Sequence, residues 1–223
     1  MARSGTSRRL VGDGDVGGRS ARTRSLLVDA AIETLKEEGF AGASARAIAA
    51  RAGCNQALIF YHFGSVANLL LAALDAVSVA RRERYAEAVE GATSPAELVD
   101  AAAAIFAEDL EAGHATVLVE MIAGAASTPG LGAEVGTRIG AWRGFAEQAI
   151  DSAAAGTPLA ALFPAGEFAH GVVALYLGLE LLSHLEGDRA AALRLFERAK
   201  RLALLVERLG PPATSPTALG ETR

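Results

Sequence analysis

The chain has 223 residues, a length that fits one large domain or two small ones. Apolar residues, many of them alanine, make up 51% and aromatic residues only 5%, and this balance favours closely packed helices over a β-rich fold. A net charge of −5 argues on its own against a nucleic-acid partner. The single cysteine, Cys54, allows no internal disulfide, and residues 1–20 lack the apolar core of a secretion signal, so we expect a cytoplasmic protein.

The charges are distributed unevenly along the chain. Residues 1–63 hold 9 Lys and Arg against 6 Asp and Glu, whereas residues 64–223 hold 12 against 20. A basic end on an acidic body is typical of a DNA-binding head joined to a separate regulatory part. Residues 1–20 have no hydrophobic period, and we expect a flexible basic arm that can follow DNA phosphates. A solvated tail with no role fits the same composition.

A first helix is predicted from about residue 21 to residue 38. Its buried stripe consists of apolar residues at helical spacing: Leu27, Val28, Ala31, Ile32 and Leu35. Gly39 stands where helices commonly end, and Phe40 can then fold back onto the core. We expect this helix to brace the segment that follows it.

A short helix, a tight turn and a second short helix are predicted from Ser44 to Phe63, in the stretch SARAIAARAGCNQALIFYHF. Ser44 is suited to cap the first of these helices, and Gly53 supplies the backbone freedom that a sharp turn needs. The second helix buries Ile59 and Phe63. Helix-turn-helix units of this size place the second helix in the major groove of DNA, although a two-helix corner inside any helical core has a similar pattern.

The outward face of the second helix carries side chains that suit DNA. Gln56 lies one turn before Phe60, and Ala57 lies one turn before Tyr61, so the four can share a face. Glutamine can read adenine through paired hydrogen bonds, and an alanine methyl can contact thymine. Tyr61 and His62 can donate to phosphates, which position a protein without reading sequence.

Residues 24–71 resemble the DNA-binding domain of the TetR family of transcriptional repressors. The matching segments are AAIETLKEEGF, S-x-R-x-IA-x-x-AG and LIFYHFGSVANLL. The resemblance implies an all-α protein of about nine helices, with an N-terminal three-helix helix-turn-helix domain and a C-terminal helical domain for ligand binding and dimerisation. Together with the outward face described above, it predicts the following DNA-contacting set: Ser44, Arg46, Asn55, Gln56, Ala57, Phe60, Tyr61 and His62.

Two positions depart from the pattern of the TetR family. Its members usually have tyrosine where this chain has Phe60, and a phosphate-binding lysine where it has Val66. Both changes remove a polar contact to DNA. We therefore expect either a lower affinity or a larger contribution from Arg46, Tyr61, His62 and the N-terminal arginines.

Four segments are predicted along the chain. The flexible basic arm covers residues 1–20, the helix-turn-helix domain residues 21–65, the ligand-binding and dimerisation domain residues 66–210, and a disordered tail residues 211–223. A long connector helix is expected at Val66–Val89. Because one end of this helix belongs to the DNA-binding head and the other to the body, it can transmit motion between them.

The later helices carry two informative patterns. Gly132, Gly136 and Gly140 recur every fourth residue of a predicted helix, which we interpret as a close-packing ridge or a pocket wall. The first of the last two helices, near residues 165–186, is apolar on almost every side. Its apolar run, interrupted by Glu180, is judged too short and too polar for a membrane span. A second copy of the chain is the expected cover, giving a four-helix dimer interface.

No catalytic residue, metal ion or cofactor is expected. Glu180 and His184 lie at i, i+4 on one helix, but a metal site needs further ligands and the sequence has no second matching pair. Phosphate loops, nucleophile elbows and paired-cysteine clusters do not occur. The family-like architecture implies a small apolar ligand of unknown identity, although each candidate residue taken alone is more typical of a core. The candidates are Phe106, Leu110, His114, Met121, Trp142, Phe145, His170 and Tyr176.

Three functions remain open at this point. The sequence favours a dimeric, sequence-specific DNA-binding repressor that a small-molecule ligand releases from a palindromic operator. A regulator of the same fold, controlled by a protein partner instead of a small molecule, is the second. A helical enzyme or carrier that reuses the fold is the third.

Overall fold

Helices account for all the regular secondary structure in the part of the chain that the computed structural model describes, residues 13–157 and 164–208. This confirms the predicted all-α fold. The chain divides into two compact units, Met1–Leu74 and Asp75–Arg223. In chain order the helices are α1 (Asp13–Gly42), α2 (Ala45–Arg51), α3 (Ala57–Phe63), α4 (Val66–Glu90), α5 (Pro95–Ala112), α6 (His114–Ala125), α7 (Leu131–Ala154), α8 (Ala165–Glu186) and α9 (Ala190–Arg208).

The first unit has a helical start before residue 21 and an end inside α4. Helix α1 already begins at Asp13, so residues 13–20 of the expected flexible arm are helical. Residues 17–20 are exposed, so their lack of a hydrophobic period reflects a helix that buries no face there. The unit ends inside α4, after Leu74, because the apolar first turns of α4 are buried and belong to this unit. Residues 1–12 of the expected arm and the expected tail at 211–223 lie outside the described residues.

The core of the first unit is the predicted apolar stripe of α1. Leu27 and Leu35 are fully buried, as are Ile48 of α2 and Ile59 of α3. Gly39 has φ 69°, a backbone conformation that favours glycine, and it kinks α1 at the position where the sequence predicts an end. The helix-turn-helix is therefore packed against a brace, as expected.

Two helix pairs organise the second unit: α5 packs along α9, and α7 packs along α8. In the first pair, the rings of Phe106 and Phe196 lie 5.3 Å apart. The Ala96 amide at the start of α5 donates to the Glu207 carboxylate of α9 at 2.8 Å. These contacts join residues about one hundred positions apart in sequence, so they define the fold of this unit.

The row of glycines in α7 does not form the predicted close-packing ridge within the described chain. A Cβ atom placed on Gly136 or Gly140 would meet no atom within 4 Å, and one on Gly132 would meet only the Ala125 Cβ at 3.9 Å. The ridge was predicted wrongly because spacing alone does not reveal whether a neighbour approaches. The alternative, a pocket wall, stays a prediction.

The apolar helix α8 also departs from expectation. By length and composition alone it is long and apolar enough to cross a membrane, so the judgement that this segment is too short and too polar is wrong. Core helices of soluble proteins meet the same criterion but are mostly buried, whereas 17% of the apolar window of α8 is buried inside the chain. Here α8 packs against α7, and it turns Glu180 and Ser183 into the protein interior.

Candidate DNA-binding surface and buried polar cluster

Local hydrogen bonds form the turn between α2 and α3. The Ser44 hydroxyl accepts the Ala47 amide at 3.2 Å, which confirms it as the cap of α2. Gly53 has φ 65°, as a sharp turn requires. The Asn55 side-chain oxygen accepts the Ala57 amide at 2.8 Å and so fixes the start of α3. Ser44 and Asn55 therefore stabilise the starts of α2 and α3 in the free protein, in addition to any contact with DNA.

Helix α3 buries one face and exposes the other. Ile59 and Phe63 are buried, as the sequence predicts. Tyr61 is 79% exposed and Phe60 52%, which is a large aromatic surface to leave in water. The Gln56 side chain makes no capping bond to the helix and is also exposed. The structure therefore brings together the four side chains predicted to share the outward face: Gln56, Ala57, Phe60 and Tyr61.

The other members of the predicted DNA-contacting set differ in how exposed they are. His62 is half-buried, and its ring lies 4.9 Å from that of Tyr61 and 6.4 Å from that of Phe63. It is less open to a phosphate than Tyr61. Arg46 is exposed on α2. The neighbouring Arg51 is engaged by the carboxylates of α1, with Glu37 at 2.6 Å.

Side-chain hydrogen bonds connect the end of α3 to the start of α4. The Ser65 hydroxyl accepts the Asn68 amide at 3.1 Å, and the Asn68 side chain donates to the Phe63 carbonyl at 2.9 Å. These bonds join the end of α3 to the first turn of α4. Val66, which replaces the family's lysine, is half-buried there.

A cluster of buried polar side chains lies in the second unit, centred on Asp109 of α5. The Tyr85 hydroxyl donates to its Oδ1 at 2.8 Å, and the Tyr176 hydroxyl donates to its Oδ2 at 2.9 Å. Arg81 Nη2 also donates to Oδ2, and His114 Nδ1 lies 3.4 Å from Oδ1. We call these residues, together with Glu180, the Asp109 cluster.

Arg81 of α4 is the cation of this cluster. Its Nη2 lies 3.4 Å from Glu180 Oε1 in addition to its bond with Asp109. Its guanidinium carbon lies 4.9 Å from the centre of the Trp142 ring, within the range of a cation–π contact. One donor, Nε, is buried without a hydrogen-bond partner among the described residues.

The two carboxylates of the cluster have pKa values shifted in opposite directions. Burial raises the pKa of Glu180 to about 7, against the opposing charge of Arg81. Burial also acts to raise the pKa of Asp109, but the hydrogen bond from His114, the charge of Arg81 and the hydrogen bond from Tyr85 together bring it below its usual range. At neutral pH the cluster therefore holds one guanidinium, one ionised carboxylate and a partly protonated Glu180.

The cluster gathers four of the eight predicted ligand residues: His114 and Tyr176 belong to it, Trp142 stacks on Arg81, and the Phe106 ring lies 5.5 Å from that of Tyr176. Phe145 joins through Trp142, at 5.8 Å between rings. Two further candidates, Met121 and Leu110, are buried and half-buried. His170 is exposed on α8 and does not join this group.

Sequence reasoning missed the polar centre of this group. It paired Glu180 with His184, but His184 is exposed, with its Nδ1 3.5 Å from Thr116 Oγ1, while Glu180 is buried against Arg81. The residues described by the structure contain no group of three or more His, Cys, Asp or Glu side chains that could hold a metal ion. The one usable signal was an isolated acid in an apolar helix, which needs a buried partner.

Comparison with known proteins agrees with this geometry. Residues 27–73 match the family described as bacterial regulatory proteins, tetR family. No curated protein gives a match. Among solved structures, a TetR-family transcriptional regulator from Cytophaga hutchinsonii has a TM-score of 0.68 and 17% identity, covering 84% of this chain and 96% of that one.

Two further solved structures are similar. A member of the TetR family from Streptomyces coelicolor has a TM-score of 0.60 and 24% identity, covering 85% of this chain and 99% of that one. The multidrug binding protein EbrR, complexed with imidazole, has a TM-score of 0.61 and 22% identity, covering 87% and 98%. At such identities the likeness establishes the fold.

The family match over residues 27–73 and the exposed face of α3 support a DNA-binding transcriptional regulator. The match over residues 27–73 supports a TetR-family regulator.

Proposed function

We propose that this regulator is a homodimeric repressor that binds a near-palindromic operator and is released from it by a small ligand. The observation that carries the DNA-binding part is the exposed aromatic face of α3, where Tyr61 is 79% exposed beside Gln56. In this proposal Gln56 and Arg46 contact base edges, and Tyr61 contacts phosphate.

The dimer is proposed from exposed apolar surface on the last two helices. On α8, Leu185 is 70% exposed and Leu175 59%, and α9 has leucines exposed to a similar degree. Exposed apolar side chains in this number are typical of an interface, and a second copy of α8 and α9 would cover them as a four-helix bundle. The full set of exposed leucines is Leu175, Leu181, Leu182 and Leu185 of α8 and Leu195, Leu202, Leu204 and Leu205 of α9.

A charge placed on α8 tests the dimer. A Cβ at Gly178 meets no atom within 4 Å, so Gly178→Arg leaves the subunit's own packing intact and sets a charge against the partner. We expect sedimentation to give a monomer at concentrations where the parent protein is a dimer. Gly136→Arg on α7, where a Cβ is equally unobstructed, is the matched control. An unchanged dimer for Gly178→Arg would refute this interface.

The ligand site is proposed around the Asp109 cluster. Aromatic and polar side chains from five helices, α4 to α8, meet there, and ligand sites combine apolar walls with a few polar groups. The similar protein EbrR is a multidrug binding protein, which supports a site of this kind here. Release of DNA requires a ligand that prefers the non-binding state by about 5.5 kcal/mol to shift a population from 1:99 to 99:1.

Helix α4 is the proposed route of the signal. It is continuous from Val66 to Glu90, begins in the first unit and carries Arg81 and Tyr85 of the cluster in the second. A ligand that rearranges the cluster therefore acts on the same helix that follows α3. By linkage, DNA must then weaken ligand binding by the factor by which ligand weakens DNA binding.

A gel-shift on the DNA upstream of the protein's own gene tests the proposed function. We expect a specific complex that survives excess non-specific DNA and is lost for Gln56→Ala at the same protein concentration. A thermal-shift screen of small molecules then supplies ligands, and those that stabilise the protein should dissociate the complex. Equal binding of upstream and unrelated DNA would refute a specific regulator, and stabilising ligands with no effect on the complex would refute ligand release.

A further inference from the structure

One nitrogen of the Arg81 guanidinium, Nε, is both buried and without a hydrogen-bond partner among the described residues. The side chain is only 7% exposed, and its Nη2 is engaged by Asp109 and Glu180. Buried N–H groups in folded proteins nearly always have an acceptor. Nε is therefore the donor of this cluster that an acceptor from outside the chain can satisfy.

The charges around Arg81 determine what kind of acceptor fits. The guanidinium already faces two carboxylates, Asp109 and Glu180, at hydrogen-bonding distance. No positive charge is left over to balance an anionic ligand group, and an ammonium group cannot accept a hydrogen bond from Nε. An uncharged oxygen satisfies the donor without adding charge to a buried site.

The surroundings of the guanidinium suit an apolar body. Trp142 stacks on Arg81 and is itself in edge contact with Phe145, and Phe106 is in edge contact with Tyr176. Aromatic faces of this kind bind apolar molecules through area and dispersion. Trp142 is half-buried whereas Arg81 is buried, so the side chain that covers the guanidinium itself reaches the surface and can admit a ligand by moving.

We propose that the effector of this regulator is an uncharged apolar molecule with a carbonyl-type oxygen, which accepts a hydrogen bond from Arg81 Nε while its apolar part packs against Trp142. The proposal rests on the proposed function, in which the second unit binds a small ligand. Asp109 then acts as a positioning residue, because it fixes the guanidinium and is itself held by Tyr85 and Tyr176.

The fluorescence of Trp142 tests this directly, because it is the only tryptophan in the chain and lies on the guanidinium in question. The full-length protein is titrated with four compounds that share a cyclohexane ring and differ in one group: cyclohexyl methyl ketone, ethylcyclohexane, cyclohexanecarboxylate and 1-cyclohexylethylamine. We expect the ketone to bind about tenfold more tightly than the other three, since it alone satisfies the buried donor without charge.

Two matched variants assign the effect to Nε. Arg81→Lys keeps a positive charge facing Asp109 but lacks the Nε donor, so ketone affinity should fall about tenfold towards that of ethylcyclohexane. Arg84→Lys, on the exposed side of the same helix, should bind the ketone like the parent. If circular dichroism shows that Arg81→Lys does not fold, the ranking of the four compounds on the parent protein still decides.

Three results would overturn the proposal. The first is that the hydrocarbon, the carboxylate or the amine binds as tightly as the ketone. The second is that folded Arg81→Lys binds the ketone like the parent. The third is that none of the four compounds changes Trp142 emission, which would leave water as the partner of Nε. The titrations contain no DNA. If no compound binds as expected, the proposed binding to an operator is unaffected. If the protein binds no operator, the titrations still report on the ligand.

Discussion

The two units of the molecule carry their candidate functional side chains in opposite ways. In the first unit they are on the surface, with Tyr61 79% exposed on α3. In the second they are inside, with Asp109 fully buried. An exposed side chain contributes little to folding and is available to a partner, whereas a buried charged group must be satisfied for the protein to fold at all. The comparison predicts that substitutions in the two units will affect different measurements.

The largest effect is expected from Asp109→Ala. The change leaves the Arg81 guanidinium buried without its main partner and removes the acceptor of two tyrosine hydroxyls, so the free energy of unfolding should fall by about 3–5 kcal/mol. Denaturant titration measures it. Asp100→Ala, on the same helix but in an exposed pair with Lys200, should cost about 1 kcal/mol or less. Equal losses for both variants would mean that the cluster is not buried as described.

Glu180→Gln is expected to change how stability depends on pH. The pKa of Glu180 is about 7 in the folded protein against an ordinary 4.5, so between these values the folded state binds a proton that the unfolded state has lost. Its contribution to stability is therefore largest at low pH and is lost as pH rises through 7, by about 2–3 kcal/mol between pH 5 and pH 8. Glutamine does not titrate, so the stability of the Glu180→Gln variant should not fall in this way as pH rises.

Denaturant titrations of the parent and of Glu180→Gln at pH 5 and pH 8 give the difference directly. The variant should gain stability relative to the parent at the higher pH. A difference that is the same at both pH values would show that Glu180 is ionised throughout, and the contrast between the two carboxylates would then disappear.

Gln56→Ala should produce the converse result in the first unit. Loss of a base contact costs about 1–3 kcal/mol of specific DNA affinity, while the exposed position leaves the free energy of unfolding within about 0.5 kcal/mol of the parent. Arg46→Ala is expected to behave in the same way. Fluorescence anisotropy on specific and unrelated DNA measures the affinity. A denaturant titration of the same samples measures the free energy of unfolding. A variant that loses stability but keeps its DNA affinity would reverse the assignment of the two units.

The smallest effect is expected at the cap of α2. Ser44→Ala removes the acceptor of the Ala47 amide and should cost about 1 kcal/mol of stability. Ser44→Asn can accept the same bond and should restore most of it. Thermal unfolding of the two variants distinguishes the cap from a contact to DNA, because neither sample contains DNA. Identical stabilities would show that the cap contributes nothing.

The same contrast explains what could be predicted from the sequence. Ser44 and Gly53 act on backbone within a few residues of themselves, and the cap and the turn lie where these residue types predict them. The bond between Arg81 and Asp109 joins positions 28 residues apart, and the contact with Glu180 joins positions 99 residues apart. No local pattern encodes such pairs.

The remaining errors have the same origin. The glycines of α7 were interpreted from their spacing, but whether a neighbour approaches them depends on how distant helices pack. The early start of α1 was missed because residues 17–20 are exposed, and hydrophobic periodicity detects only helices that bury a face. Features that depend on contacts between residues close in sequence could be predicted, and features that depend on contacts between distant residues could not.

The central claim is that α3 reads a symmetric DNA site, and selection from a library of random duplexes by the full-length protein tests it most directly. The account predicts enrichment of a near-palindrome whose half-site centres lie about one helical turn apart or a multiple of it, with base preference relaxed within each half-site for Gln56→Ala. No enriched sequence, or an enriched site without two-fold symmetry that Gln56→Ala selects equally well, would contradict it.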